Sequence, residues 1–503
     1  MHLLLLALIV LCYALGKIIY ALYFSPLRRI PGPLLARITP LYDKVTRLVG
    51  LRTELCERNF KRYGDIYVVS PTCVSISNPS DCARVLGTHS FRKSAEYDKM
   101  VVSVPTTFST RDPVLNKTRR HQIGPAFGHS RLREMEPLIQ QHSVASLQRK
   151  WDSLIDASIG HEVEINYRTD FLLMAFDVIG ALGYGQTFSA LQNDDTRVVD
   201  WARATVQLAM YQAIFPPIAV WPFKYLISTQ LNNIRQCTEF GQRTVMERKK
   251  DLESGGEKPR DVLQSFIDSE DPASRTRMSA DQIAAENRTM LLAGTETSAL
   301  TLTWTLHLLM LHPVLRQRAV DEIRSQFGPE QTITYAEAKA CLPFTEACIY
   351  ESLRLRPVSG QHFTRDVPAG GATFQGHDIP EGFTVGLNFA GHCKNPDIWP
   401  SPEKFLPERF LDDPRAKQNI ITFSAGVRVC PGRNLAWVEM LTVLSNILKN
   451  YNFELTKDSL FHSDNIDPNT GEPAIMPRIH LVTAGPKYPE RDCRVLVSKH
   501  LWT

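Results

Sequence analysis

The chain has 503 residues, 43% of them hydrophobic and 22% charged, an ordinary globular composition with enough length for a large core. A net charge of +4, spread evenly, argues against the basic field of a nucleic-acid binder. Ten cysteines without a Cys-x-x-Cys pair argue against a zinc site or a disulfide framework and suit a reducing compartment. Length alone would suggest several domains, yet no low-complexity linker or repeat divides 34–503, which reads as one large domain.

Leu3 to Phe24 form an apolar run of 22 residues broken only by Lys17, and about 20 suffice to cross a bilayer as a helix. The long stem of Lys17 can carry its charge toward the headgroups. Arg28, Arg29 and Arg37 follow, against only His2 on the short side, so positive-inside bias places the body in the cytosol. Residues 1–24 therefore read as a single-pass transmembrane signal anchor. A cleaved secretory signal is the alternative, with Ala14-Leu15-Gly16 as a weak site and no basic leading region. Residues 25–33, with Pro26, Pro31 and Pro33, read as a stiff extended hinge. Two sequons, Asn116-Lys-Thr and Asn287-Arg-Thr, fall where the body reads as helical, which fits a lumenal location poorly.

Ile66 to Ser70 and Val74 to Ser77 read as a strand pair around Pro71. Thr118-Arg119-Arg120-His121 carries two arginines that read, alone, as surface charge. From about 130 to 355 the apolar spacing is helical. Ser279-Ala-Asp-Gln282 is a capping box opening a long helix that His312-Pro313 should stop near Leu311. Near its middle, Ala293-Gly294-Thr295-Glu296-Thr297 places a glycine where it costs about 1 kcal/mol relative to alanine. Close helix packing is one reason for it. Cys341 and Cys348, seven apart, read as sharing a helix face. Glu351-Ser-Leu-Arg354 sets opposite charges on one helical face. Glu257-Lys-Pro-Arg260 has the same spacing, but its proline and polar surroundings place it in a loop. Short strands are expected over 372–388, among turns at Gly370-Gly371, Gly376 and Pro380-Glu-Gly382. Arg365 and Arg409 stand in Phe363-Thr-Arg-Asp and Pro407-Glu-Arg-Phe410. Then comes Phe423-Ser-Ala-Gly426-Val-Arg428-Val-Cys430-Pro431-Gly432-Arg-Asn-Leu-Ala436, with a helical stretch from Leu435 to Leu448. Ile479 to Val482 reads as a last strand before a polar tail. Periodicity gives a mainly α chain with a small β portion.

The run from Phe423 to Ala436 resembles the haem-binding signature of the cytochrome P-450 family, Phe-x-x-Gly-x-Arg-x-Cys-x-Gly-x-x-x-Ala, at every defined position. The resemblance extends over nearly the whole chain after residue 30. It implies a cytochrome P-450 fold and haem with Cys430 as the axial thiolate, which favours cleavage of a bound O–O bond. Amide N–H donors and the N-terminal dipole of the following helix would tune the sulfur. Gly426 and Gly432 would let the backbone approach the porphyrin. Arg428, Arg120 and Arg365 match positions that bind haem propionates. Where the family often has Trp or His, this chain has Asn116, which can still donate to a propionate. Ala293 to Thr297 matches the oxygen-side helix motif. There Gly294 would open a groove for O2, Thr297 would hydrogen-bond the bound oxygen or its water, and Glu296 would pass protons from outside. Glu351, Arg354 and Arg409 follow the order of a buried triad that braces the haem loop.

The function this implies is a membrane-anchored haem-thiolate monooxygenase, bound to the endoplasmic reticulum with its catalytic body cytosolic. No Gly-x-Gly-x-x-Gly fingerprint is present, so electrons would come from a separate NADPH–cytochrome reductase. Candidate pocket walls are Val101 to Arg111, Met210 to Phe223, Met290 to Thr297 and Val358 to Phe363, whose apolar character suits a lipophilic small molecule. Pro368-Ala-Gly-Gly-Ala-Thr373 resembles fungal enzymes of secondary metabolism. Two alternatives stand: a haem-thiolate isomerase or dehydratase needing no reductase, and a non-catalytic haem-binding sensor.

Overall fold

The computed structural model of the protein describes residues 2–360, 362–413, 415–481 and 483–502. Helices dominate between His129 and Leu355, as the apolar spacing predicts, with one strand, Glu162–Asn166, among them. The capping box at Ser279 is made in both directions, and the helix it opens runs unbroken for 32 residues, Ala280–Leu311. Pro313 then starts the next helix, Pro313–Arg324. The long helix is apolar nearly all round and buried, as a core helix must be. It packs against Tyr167–Tyr184, Ser228–Glu253, Pro343–Leu355 and Arg433–Asn450. The fully buried Trp304 fastens it by donating to the Ala484 carbonyl at 3.0 Å. Cys341 and Cys348 do not share a helix: Pro343 opens a new one, leaving Cys341 exposed and Cys348 buried.

The expected strand pair is present, Ile66–Ser70 against Cys73–Ile76, antiparallel. Cys73–Ile76 lies parallel to Thr384–Asn388, which pairs antiparallel with His362–Asp366. Ala372–Phe374 and His377–Ile379 form a separate hairpin. The strand expected at 479–482 is Arg478–His480, paired with Ala484–Pro486; Val482 lies outside the described residues. No polar tail follows it. Arg494–Lys499 is the central strand between Glu162–Asn166 and Tyr451–Leu455, with Val495 and Val497 fully buried. Six residues among charged neighbours gave too little period-two signal to be read.

The apolar N-terminal run is helical, His2–Ile19 continuing into a π-helical turn Tyr20–Phe24, and its Leu5, Leu11, Leu15 and Tyr23 are exposed. Among the described residues no single helix is long and apolar enough to cross a membrane; Leu11–Phe24 is a shorter apolar helix. The hinge is docked rather than free. Leu27 and Ile30 are buried, Val68 N–H donates to the Pro31 carbonyl at 2.8 Å, and Arg37 donates to the Arg28 and Ile30 carbonyls. Gly32 has φ +153, and a Cβ there would meet the Val68 nitrogen at 2.8 Å. Both sequon asparagines are completely buried inside helices, so the folded chain has no room for a glycan at either.

Candidate active site

Cys430 ends a tight loop that feeds the helix Arg433–Asn450. The loop is closed by Cys430 N–H donating to the Phe423 carbonyl at 2.8 Å and by the 3-10 turn Gly426–Arg428. Gly426 is required by the protein itself: φ is +58 and an added Cβ would meet the Leu86 carbonyl oxygen at 2.3 Å. Gly432 is different, with an ordinary φ of −82 and no atom within 4 Å of a Cβ placed there. Gly426 therefore answers to Leu86, whereas no contact among the described residues accounts for Gly432. The Cys430 side chain is open on one face. Burial raises its thiol above the usual value, while the Gly432 amide, Arg120 and Arg433 pull the other way. Amide donation is present as expected, though burial outweighs it. A metal ion's charge would ionise it outright.

Arg428 and Arg365 are buried at 8% and 3% exposure, and Arg120 is partly buried with them. Arg120 donates to the Val429 carbonyl at 2.7 Å; Arg365 reaches the Tyr97 hydroxyl at 3.3 Å and the Thr364 carbonyl at 3.0 Å. Among the described residues, both terminal nitrogens of Arg428, and the Nε of Arg120 and of Arg365, find no partner. Burial, then the charges of Arg365 and Arg120, lower Arg428 to about 10. Lys93, pushed well below its usual value by burial and by the same three arginines, joins them and bridges to Arg365 along the backbone. Buried cations without an anion are costly. The unused donors of the three arginines fit the two carboxylates of an iron porphyrin whose iron would meet Cys430. Arg119, beside Arg120, is not surface charge: it is 3% exposed and stands 3.4 Å from Glu286. Asn116, fully buried, gives one amide hydrogen to the Thr107 carbonyl at 3.1 Å, which turns it toward that loop.

On the long helix, Ala293 is exposed and Thr297 half-buried, one turn apart. Thr297 Oγ1 donates to the Ala293 carbonyl at 2.6 Å, so in this state the hydroxyl offers an acceptor, not a donor. Gly294 opens no groove in an unbroken helix. A Cβ there would meet Ile179 Cδ1 at 2.8 Å, so close packing accounts for the glycine. Glu296 does not face solvent freely; Arg203 and Arg168 hold it at 3.1 and 3.6 Å.

Glu351, Arg354 and Arg409 come together as the spacing and order predicted. Arg354 forks onto Glu351 at 2.7 and 2.8 Å, and Arg409 reaches the same carboxylate at 3.1 Å. Arg354 spends its other hydrogens on the carbonyls of Cys393, Pro402 and Lys404, and Glu351 also accepts from Leu406 N–H at 2.8 Å.

Sequence reasoning missed Lys93, Tyr97, Glu286 and Glu439. Burial pushes Glu286 up to about 7 against the Thr107 donors, Arg119 and Lys93. Burial pushes Glu439 up to about 8 against a hydrogen bond from Ser298, the residue after Thr297. One signal was available for the two glutamates: each is a charge at an apolar position of a buried helix.

The sequence model of one family, described as cytochrome P-450, matches residues 43–471. Cytochrome P-450 monooxygenase helB1 of Aspergillus fumigatus is 40% identical over 487 residues, covering 96% of this chain and 84% of its own. The monooxygenase helB2 of the same organism is 40% identical over 506 residues, covering 98% and 99%. A third, helB3, is 36% identical over 493 residues, covering 97% and 96%.

Proposed function

The chain belongs to the cytochrome P-450 family of haem-thiolate monooxygenases, and we propose that in it Cys430 is the axial ligand and Arg120, Arg365 and Arg428 take the haem carboxylates. The observation that carries this is the set of unpartnered buried guanidinium nitrogens beside the Cys430 loop. Phe423 and Gly432 complete the cradle, the first by closing the loop through its carbonyl and the second by aiming its amide at the sulfur. When bound, the haem iron supplies activation of O2 and insertion of one oxygen atom into the substrate.

The protein's part is to deliver protons and exclude water. Thr297, as an acceptor on the open helix face, orients a water molecule there. Glu296 takes up a proton after breaking its 3.1 Å contact with Arg203 and passes it toward that water. The substrate is a lipophilic small molecule of secondary metabolism; the exposed Phe108, Phe215 and Phe223 in two of the expected wall segments support an apolar ligand. Electrons come from an NADPH–cytochrome reductase. The body faces the cytosol on the endoplasmic reticulum. The exposed apolar helix 2–24, the adjoining Leu34 and Leu35, and the buried sequons support that placement.

Reduction of the holoprotein under carbon monoxide tests the ligation: a red-displaced Soret band is expected, and an intact folded sample without it overturns the assignment. Thr297→Ala should uncouple O2 consumption from product. Turnover should require NADPH and reductase together; turnover without them would favour an isomerase. Removing residues 2–24 should shift the protein from the membrane pellet to the supernatant.

A further inference from the structure

A row of aromatic rings runs from the Cys430 loop along the brace that carries Glu351 and Arg409. Phe423, whose carbonyl holds the Cys430 amide, has its ring centroid 6.5 Å from that of Trp437. Trp437 lies 4.4 Å from Tyr350, Tyr350 stacks on Phe410 at 5.3 Å, and Phe410 meets Trp399 at 5.7 Å. Trp437, Tyr350, Phe410 and Trp399 are all buried. Tyr350 precedes Glu351 in the chain and Phe410 follows Arg409, so the 3.1 Å ion pair between those charges holds both rings in place.

The tryptophans of this row differ from the others in the core. Trp151 donates its indole N–H to Asp170 at 2.7 Å, and Trp304 to the Ala484 carbonyl at 3.0 Å. The N–H groups of Trp399 and Trp437, both in this row, find no acceptor among the described residues. A buried donor left unpaired is costly and asks for a reason, of which a redox role is one. An indole that loses an electron becomes a strong acid, and an acceptor beside it takes the proton and traps the radical. Without an acceptor the proton stays, and the electron vacancy moves to the nearest ring that can release its own proton. That ring is Tyr350, a neutral phenol pushed up to about 12 by burial and by Glu346 against Arg433. Lys417 stands 5.1 Å from the centre of its ring, and Arg433 5.9 Å from that of Phe423. Such cations oppose a positive charge on either ring, so a vacancy rests here only once a proton has left. Arg433 is exposed and Lys417 half-buried, so water reaches this end of the row to receive it.

We infer that Trp437 and Tyr350 form an electron relay on the cysteine side of the haem, which discharges the cofactor when it is oxidised with no substrate to attack. This rests on the haem reading above. Haem oxidised by peroxide takes one electron from Trp437, and Trp437, its proton retained, takes one from Tyr350. Tyr350 releases its phenolic proton to water. Ascorbate in solution then returns one electron with a proton and restores the phenol. Phe423 is too hard to oxidise to hold the vacancy and serves only as the bridge.

The test mixes the ferric holoenzyme with peracetic acid in the absence of substrate. Samples are freeze-quenched for electron paramagnetic resonance, and the Soret band is followed in parallel by stopped flow. The parent should give an organic radical whose hyperfine pattern narrows when the protein carries β-deuterated tyrosine, and which ascorbate removes. Tyr350→Phe, which deletes one oxygen atom and keeps the ring, should lose that signal. Trp437→Phe should lose most of it, and haem bleaching should be faster than the parent's in both variants. A tyrosine signal that survives Tyr350→Phe, one that Tyr97→Phe removes instead, or bleaching at the parent rate in both variants would overturn the relay. With the carbon monoxide band present and no radical at Tyr350, the relay falls and the ligation stands; with the band absent, the ligation falls and the relay with it. If Trp437→Phe takes up no haem, Tyr350→Phe alone decides the outcome.

Discussion

Two clusters of buried arginine are treated oppositely by their surroundings. Around Glu351, Arg354 and Arg409 share one carboxylate and spend the remaining hydrogens of Arg354 on three backbone carbonyls, with both Glu351 and Arg354 fully buried. Around Cys430, Arg120, Arg365 and Arg428 meet no carboxylate among the described residues and leave nitrogens unpartnered, and burial with the charges of Arg365 and Arg120 depresses Arg428. A closed charge network is a brace, since nothing in it can bind a further group. An open one costs stability until an anion arrives, and therefore marks a ligand. The two clusters contain the same side chain and differ only in what faces it.

The largest effect should come from opening the closed cluster. Glu351→Leu strands Arg354 in the interior at a cost of about 3–5 kcal/mol; folded holoprotein should fail to accumulate, and a variant with the parent's melting temperature would remove the triad from the load path. Arg428→Met should act in the reverse sense. Loss of one of three like charges should leave the melting temperature of the haem-free protein unchanged or raised, while haem passes to excess apomyoglobin about tenfold faster, the scale of one charge-assisted hydrogen bond. If Arg428→Met destabilises the haem-free protein as Glu351→Leu does, the contrast between the clusters fails.

Glu439 shows a third solution to burying a charge, which is to lose it. Its carboxyl is raised by burial from 4.5 to about 8, so the folded chain holds a proton that the unfolded chain releases. That contribution is fully present below pH 4.5 and is lost as pH rises toward 8. Glu439→Gln should flatten the fall in unfolding temperature across that window, and an unchanged slope would assign the fall to other groups such as Glu286. The smallest effect should come from an uncharged control. Gly294→Ala gains about 1 kcal/mol of helix propensity and loses about 1–3 kcal/mol by pressing on Ile179, for a net loss near 1 kcal/mol. Ile179→Val in the same protein should recover part of it. A gain on Gly294→Ala alone would return the glycine to a role at the oxygen side.

The motif-bearing residues were legible because they are local. The capping box at Ser279, the stop at Pro313 and the glutamate–arginine pair at 351 and 354 each depend on spacings of a few residues, and each is found as read. Misreadings came where a distant partner decided. Gly294 answers to Ile179, more than 100 positions away. The strand 494–499 is defined by Glu162–Asn166 and Tyr451–Leu455 on either side of it. Cys341 and Cys348 are the exception: a local residue, Pro343, divided them between two helices.

The amino-acid sequence by itself determined the family, and it singled out the cysteine proposed to meet iron, because the closely spaced run from Phe423 to Ala436 carries that motif without knowledge of neighbours. Tertiary structure alone decided which of the arginines are left without partners, which glutamates are held as neutral acids, and which indole hydrogens find no acceptor. Satisfaction of a buried polar group is a property of everything within about 3 Å of it, and residues that close in space are set by the fold, not by their order in the chain.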